Sequence, residues 1–333
     1  MYKDNYRQKF LLLIGILIFC IFGGIFLGRF YISPSIFVSI IVEGLKGIEN
    51  TSIESSIIYQ LRIPRVLMNV VVGAGLAVSG TALQGIFQNP LVSPDVISVS
   101  SGSAFGAVLG ILFFGMSGYV VILAMFFGIL SVGVTYILSR VRGESSTLSL
   151  VLSGMVMTSL FASLISLIKY TADPYDKLPA ITYWLMGSFS NVSYSGLKIA
   201  VIPIGLGITI LYLLRWRINI LSLGDDEVRS LGVNPSTIRA FIIILVTLIT
   251  ATCVTITGII GWVGLLIPHI CRMFIGVDNT KLIPSSCVVG AIFMLLIDGI
   301  ARTATAADIP IGILTSLVGA PFFIIIFKRY KSW

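Results

Sequence analysis

The chain has 333 residues, of which 56% are hydrophobic and only 11% charged, and its mean hydropathy is +1.03. Soluble domains carry about 25% charged residues, so these values exclude an ordinary water-soluble fold and point to lipid as the solvent. The net charge of +8 belongs to short basic loops between apolar runs, the topology signal of a membrane protein, and not to a nucleic-acid-binding face.

Lys3, Arg7 and Lys9 precede an apolar run from Phe10 to Leu27. The run is too long for a signal peptide and lacks a small-residue cleavage site, so a first membrane span with a cytoplasmic N-terminus is expected. Because about 20 apolar residues cross the hydrocarbon core, further spans can be placed along the chain. They are expected near 9–29, 63–85, 95–115, 119–140, 147–169, 195–215, 237–258, 260–276, 284–301 and 311–328. The expected fold class is therefore all-α, with about ten transmembrane helices in a compact bundle, residues 1–333 forming one transmembrane domain. Of 22 basic residues, 14 then fall on the cytoplasmic side: Lys3, Arg7, Lys9, Arg140, Arg142, Arg215, Arg217, Arg229, Arg239, Arg272, Lys281, Lys328, Arg329 and Lys331. That bias places both termini in the cytoplasm of a multi-pass protein of the cell membrane.

Residues 30–61 are too long for a tight turn. Ser33-Pro34-Ser35 predicts a helix cap with proline in the first turn, and hence a short external helix. The external stretch Tyr170–Ser193 predicts a partly inserted half-helix over Ile181–Gly187, with Tyr183 and Trp184 at the interface. Small residues recur at Ser98, Gly102, Gly106 and Gly110, and at Gly73, Ala77 and Thr81, a spacing that suits packing between helices of the same chain. Ser159, Ser163 and Ser166 share one helix face. They could line a pathway, although serines at such positions also bond back to their own helix carbonyls. The cysteines (Cys20, Cys253, Cys271, Cys287) lie scattered in apolar segments and are read as packing residues.

One stretch is not built for lipid. Leu221–Ser236 holds Asp225, Asp226, Glu227 and Arg229; Ser222 or Gly224 could start a short helix, Gly232 could end it and Pro235 could start the next. Such a compact charged element is expected to grip a soluble partner. Three arginines on the predicted outer face run against the charge bias. Arg62 and Arg65 flank Pro64, and Arg302 lies four residues after Asp298, within pairing distance on a helix. Either these groups pair locally and reach headgroups, or they form an exposed basic cluster able to meet carboxylates of an external protein. His269, the only histidine, has no clustered ligand partner and is read as a structural hydrogen-bonding residue. The chain has no G-x-x-x-x-G-K-[ST], H-E-x-x-H or G-x-S-x-G motif, so any ATP that drives it is hydrolysed by another polypeptide. An ion-coupled secondary transporter would need ionisable residues deep in the spans, and Asp298 is the one serious candidate.

From Ile57 to Lys328 the chain resembles the permease subunits of iron-siderophore, haem and cobalamin importers, the FecCD family of type II ABC importers. The resemblance rests on Arg62-Ile-Pro-Arg65, Gly73-Ala-Gly75 through Gly80, Gln84 and Asn89-Pro90-Leu91. It continues with Tyr183-Trp184-Leu-Met186-Gly187-Ser188, Leu221–Val233, Gly264-Leu-Leu-Ile-Pro268-His269-Ile-Cys-Arg272, Asp298, Arg302, Pro310-Ile-Gly312 and Gly319-Ala-Pro321. It implies a type II ABC importer permease fold in a transporter with two permease subunits, the second being a copy of this chain or a paralogue. Two cytoplasmic ATPase subunits that bind the ATP and magnesium, and an extracellular or periplasmic binding protein, complete it; this chain itself holds no cofactor. It further implies that coupling helices within residues 216–236 dock on the ATPase, through Leu223, Gly224, Asp225, Asp226, Glu227, Val228, Arg229, Leu231, Gly232 and Val233. Arg62, Arg65 and Arg302 would meet the binding protein. Ser159, Ser163, Ser166, Trp184 and Met186 would border the pathway, formed by residues 147–169, 181–189 and 311–328. Val228, Trp262, Asp308 and Ser98 depart from the family's usual residues. The implied cargo is an iron complex, a ferric siderophore or haem, with cobalamin or an oxyanion such as molybdate as the alternative.

Overall fold

The computed structural model describes residues 5–46, 52–141, 144–145, 147–232 and 234–330. Its helices are α1 (Tyr6–Phe26), α2 (Pro34–Leu45), α3 (Ile53–Ser56), α4 (Ile63–Ile86), α5 (Val99–Phe114), α6 (Gly118–Ser139), α7 (Thr147–Thr171) and α8 (Lys177–Leu185). They continue as α9 (Tyr194–Leu213), α10 (Arg215–Leu221), α11 (Asp225–Ser230), α12 (Pro235–Thr257), α13 (Val263–Ile275), α14 (Asn279–Thr303) and α15 (Ile311–Tyr330). Among the described residues, seven helical stretches are long and apolar enough to cross a membrane, and the apolar helices α5, α13 and α15 stand at the other three expected places. The external helix expected after Ser33 is α2, whose first turn is capped by the Ser33 hydroxyl accepting from the Ile36 amide at 3.3 Å.

Two expected spans are shorter than a bilayer requires, and the breaks have local causes. The stretch expected at 95–115 begins as a 3₁₀ turn (Pro94–Ile97), reverses at Ser98 with φ +63°, and becomes α5 only at Val99. The stretch expected at 260–276 becomes α13 only at Val263, after irregular backbone from Gly258 to Trp262. Broken helices persist in a membrane only where protein groups satisfy the freed backbone atoms. Here the Gln84 amide of α4 donates to the Val92 carbonyl at 3.1 Å, just ahead of the first break, and to the Gly264 carbonyl at 3.3 Å, which Pro268 leaves without a helical donor inside α13. The second span, by contrast, starts earlier than expected: α3, a π turn at Ile57–Arg62 and α4 run as one helix. The π turn lies just ahead of Pro64, whose missing N–H cannot serve the Gln60 carbonyl.

Helix α4 forms the centre of the bundle, with nearly every residue of its second half buried, whereas α1 lies at the periphery, its residues divided between exposed and half-buried with only Gly24 fully buried. Across α4 lies α14, at a crossing where neither chain can carry a side chain. A Cβ on Gly73 would stand 2.3 Å from the Gly290 carbonyl oxygen, and one on Gly290 the same distance from that of Gly73. In lipid no hydrophobic force presses helices together, so such backbone approach and its dispersion contacts carry the association. The small-residue stripes at Gly73–Ala77 and Gly102–Gly110 face α14 and α6 respectively, as expected for intrachain packing. Cys253 and Cys271 are buried in the same core.

Candidate functional site

The bundle has a polar cluster at each end and a concavity between irregular segments near one of them. At the first end four guanidiniums gather, three of them paired with two carboxylates. Arg65 sends Nε and Nη2 to the fully buried Asp298 at 2.9 and 2.8 Å, and Nη1 to Asp308 at 2.8 Å. Arg302 adds Nε to the other Asp298 oxygen at 3.0 Å, and Arg29 reaches Asp308 at 2.6 Å. Arg62 donates to the carbonyls of Ile25 at 2.7 Å and Phe26 at 3.0 Å and to that of Phe30; Arg302 donates to those of Leu27 at 2.9 Å and Gly24 at 3.0 Å. These donors satisfy carbonyls at the end of α1 that have no helical partner of their own. Burial pushes the Asp308 carboxyl up, but the hydrogen bond and charge of Arg65, with Ser190 and Arg29, outweigh it and hold the group below the usual carboxylate range.

The basic residues singled out from sequence are therefore brought together, and of the two readings open for them it is local pairing, not an exposed cluster, that the structure shows. Arg62 and Arg302 are only 5% and 7% exposed, because low-dielectric surroundings favour internal carbonyl and carboxylate partners over open display. Their edges line a cleft of 260 Å³ that also includes Arg29, Arg65 and Asp308. The local pair of Asp298 and Arg302 is formed. Sequence reasoning missed Arg29 and the role of Asp308; the signal was a charged pair bracketing two long segments otherwise built for lipid.

Near this end three irregular segments interlock. The Ser188 amide donates to the Thr257 carbonyl at 2.7 Å, and the amides of Ile311 and Gly312 donate to the carbonyls of Gly187 and Met186 at 2.9 and 3.0 Å. Gly187 is the pivot: its φ is +71°, and a Cβ there would lie 2.4 Å from the Ile259 carbonyl oxygen. Beside this junction a concavity of 700 Å³ is lined by Met186, Trp262 and the α15 face that carries Gly312, Ser316 and Ala320. Trp262 holds a left-handed φ of +72°, rare for a non-glycine residue, and lays its indole over Gly319. Met186 and α15 thus border one surface, as expected. Trp184 does not: it packs with Ile181 against α5 and lines a separate cavity of 640 Å³. Ser159, Ser163 and Ser166 are exposed on α7, with the Ser163 and Ser166 hydroxyls donating back to the carbonyls of Ser159 and Ala162 at 3.0 and 2.9 Å.

At the opposite end, α10 and α11 form the compact element expected within residues 216–236. Gly224 precedes α11 with φ +115°, Gly232 follows it with φ +76°, and the Asn234 side chain caps α12 by accepting from the amides of Ser236 and Thr237 at 3.0 and 3.3 Å. Leu223 and Leu231 are about three-fifths exposed, and Asp226, Glu227, Arg229 and Gly232 lie at the surface. Val228 is fully buried in the core, which corrects its place among surface residues and makes it the anchor of α11. Val233 and the Asp225 side chain lie outside the described residues. The element is tied to the bundle by Asn219, which donates to Asp278 at 2.7 Å and accepts from the Asn279 amide at 2.8 Å at the start of α14. The Gln88 amide beyond α4 donates to the Leu221 carbonyl at 3.0 Å. Burial pushes the Asp278 carboxyl up, but hydrogen bonds from Asn219 and Thr280 hold it below its usual range. His269, expected to make a structural hydrogen bond, has no partner at Nδ1 and lines a 510 Å³ concavity here with Gln84, Gln88 and Arg272.

Comparison with known proteins accords with this architecture. Residues 16–329 match the model of the FecCD transport family. The chain is 42% identical over 306 residues to the molybdate import system permease protein MolB of Haemophilus influenzae, covering 92% of this chain and 90% of that protein. It is 33% identical over 332 residues to the iron(3+)-hydroxamate import system permease protein FhuB of Bacillus subtilis, covering 98% of this chain and 85% of that protein. A solved metal-chelate type ABC transporter in an inward-facing conformation superposes with a TM-score of 0.87 at 39% identity, covering 97% of this chain and 99% of that one.

Proposed function

The chain belongs to the FecCD transport family as a permease subunit of an ABC importer, and on that premise we propose that its cargo is an iron complex, a ferric siderophore or haem, delivered by an external binding protein. The observation that carries the reading is a pair of polar clusters at opposite ends of one rigid helix pair. Helices α4 and α14 pack backbone to backbone at Gly73 and Gly290. One end of the pair holds Arg65, Asp298 and Arg302; the other is tied through Asn219 and Gln88 to α10 and α11. In this reading the α11 end and both termini face the cytoplasm. A separate ATPase subunit, which binds the ATP and magnesium, grips Leu223, Leu231, Gly232 and the charged face of α11. The arginine cleft receives carboxylates of the binding protein. A second permease subunit faces α15 and completes the path, with Met186, Trp262 and the α15 face as one wall. Closure of the ATPase pair would move α10–α11 and, through the close-packed pair, the outer cleft, as a rigid-body switch of access.

The wall offered to cargo holds no charged side chain, which suits a large chelate that slides past without being bound tightly. Likeness to FhuB supports the iron complex. A molybdate-like oxyanion is the second reading, supported by the likeness to MolB. Titrating the cognate binding protein with ferric siderophores, haem, cobalamin and molybdate decides the cargo; an iron chelate alone is expected to bind, and binding of molybdate alone overturns the iron reading. For coupling, Leu231→Ala and Gly232→Val in the reconstituted transporter should leave ATP hydrolysis running while uptake falls about tenfold, within the 1–3 kcal/mol typical of coupling energies. Unchanged uptake per ATP would remove α11 from that role.

A further inference from the structure

A feature of the bundle remains outside this transport scheme: a groove between α6 and α12 on the outer surface of the protein. Its floor and walls are Ile129, Val132, Gly133 and Tyr136 of α6 with Ile243, Ile244 and others of α12, and it encloses 360 Å³. That volume lies in the range of ligand clefts, about 300–1,000 Å³. The lining is hydrocarbon apart from Thr247, whose hydroxyl is already committed to the Ile243 carbonyl at 2.7 Å, and the ring edge of Tyr136. The groove runs along the helix axes. From Ile129 to Tyr136 it spans about 10 Å at 1.5 Å per residue. Its α6 side carries no side chain at the exposed Gly133, where an added Cβ would point into the open slot and meet nothing within 4 Å. Its lip is open to the membrane, with Ile244 63% and Ile129 48% exposed.

The groove also has a direction. Its Tyr136 end coincides with the end of α6, and there the exposed Arg140 guanidinium sits 5.1 Å from the centroid of the Tyr136 ring. A hydrocarbon slot that starts at the membrane–water interface beneath a fixed cation, and runs inward from it, has the shape and charge of one phospholipid chain below its phosphate. We propose that this groove is a binding site for an anionic glycerophospholipid, with an acyl chain along Gly133 and the phosphate on Arg140. Interfacial cations between membrane helices attract anionic headgroups in this way, each contributing about 1 kcal/mol. The chain is held by burial of its methylenes against Val132, Gly133 and Ile243, which annular lipid on a smooth helix surface does not obtain.

The test is native mass spectrometry of the purified full-length protein titrated with phosphatidylglycerol and with phosphatidylcholine, together with phosphatidylglycerol carrying a photoreactive acyl chain. The wild type should retain phosphatidylglycerol preferentially and be labelled on α6 and α12. Gly133→Phe fills the slot and should weaken retention of both lipids about tenfold. Ile244→Trp, at a lipid-exposed position, blocks the lip without touching the core and keeps the test intact if the first variant folds poorly. Arg140→Ala should remove about fivefold of the preference for phosphatidylglycerol, the equivalent of 1 kcal/mol, and leave phosphatidylcholine unchanged. Equal retention of both lipids by the wild type, or undiminished retention in both slot-filling variants, overturns the site. So does photolabelling that maps only to other helices, or a helix of another subunit cross-linking across Val132 and Ile244.

Discussion

Replacing Asp298 by asparagine removes one charge from a position with no solvent exposure and changes almost nothing in shape. The carboxylate accepts from Arg65 Nε and Nη2 at 2.9 and 2.8 Å and forms an ion pair with Arg302 Nε at 3.0 Å. Around it stand Arg29, Arg62, Arg65 and Arg302 with only Asp308 as a further anion, so the local net charge rises from +2 to +3. Breaking a buried pair by removing one partner costs about 3–5 kcal/mol. Arg65 retains Asp308 at 2.8 Å and Arg302 retains the Leu27 and Gly24 carbonyls, which places the loss at the lower end, about 3 kcal/mol. With about 2 °C per kcal/mol in a chain of this size, the midpoint of thermal unfolding should fall by about 6 °C. Size-exclusion monitoring of heated, detergent-solubilised protein measures it. Replacing Arg65, the α4 partner of Asp298, by methionine in the same background should then cost less than it does in the wild type, because the ion pair it breaks is already gone. A midpoint unchanged within a degree, or strictly additive single and double variants, would refute the view that Asp298 is the counter-ion that joins α4 to α14.

Two further outcomes follow from the same geometry. Gly73→Val sets a side chain against the Gly290 backbone, where even a Cβ would stand at 2.3 Å; destabilisation of about 3 kcal/mol or more is expected, read as the same midpoint shift, with loss of uptake even where folded protein is recovered. Asp308 titrates below its ordinary value in the folded protein, so its contribution is fully present above the unfolded carboxyl pKa of about 3.9 and is lost as pH falls through the lower folded value. The stability difference between wild type and Asp308→Asn should therefore stay constant from about pH 7 to pH 5 and shrink only below about pH 4, as pH-dependent melting would show.

The number and order of the membrane-crossing segments were legible because hydrophobic length is a local property, and so were the capped external helix at Ser33 and the turn-bounded element at Gly224–Gly232. The small-residue stripes were also read correctly as helix contacts. Less legible were the ends of α5 and α13. Pro94 and the Gly258–Trp262 stretch break those spans, but the carbonyls left unpaired at Val92 and, by Pro268, at Gly264 are tolerated only because a distant donor, the Gln84 side chain, reaches both. Arg62, Arg65 and Arg302 stand out in the sequence as a group, yet whether they pair internally or lie open is not legible there, because partners 230 or more residues away, or carbonyls at the end of α1, take up their donors. The family resemblance implies functional places for Val228 and Trp184, while the fold turns the first into the core and the second toward α5.

What the sequence determines by itself is therefore the solvent and the punctuation: lipid outside, helices of given length, and turns where glycine and proline stand. Charge in such a chain is so costly that each ionisable residue needs a partner. Only the tertiary structure decides who that partner is, because in hydrocarbon the choice between an internal carboxylate, a stray carbonyl and another protein depends on distances between segments far apart in the chain. That choice makes Asp298 and Asp308 the counter-ions of a cleft, and leaves Arg29 as its most exposed cation.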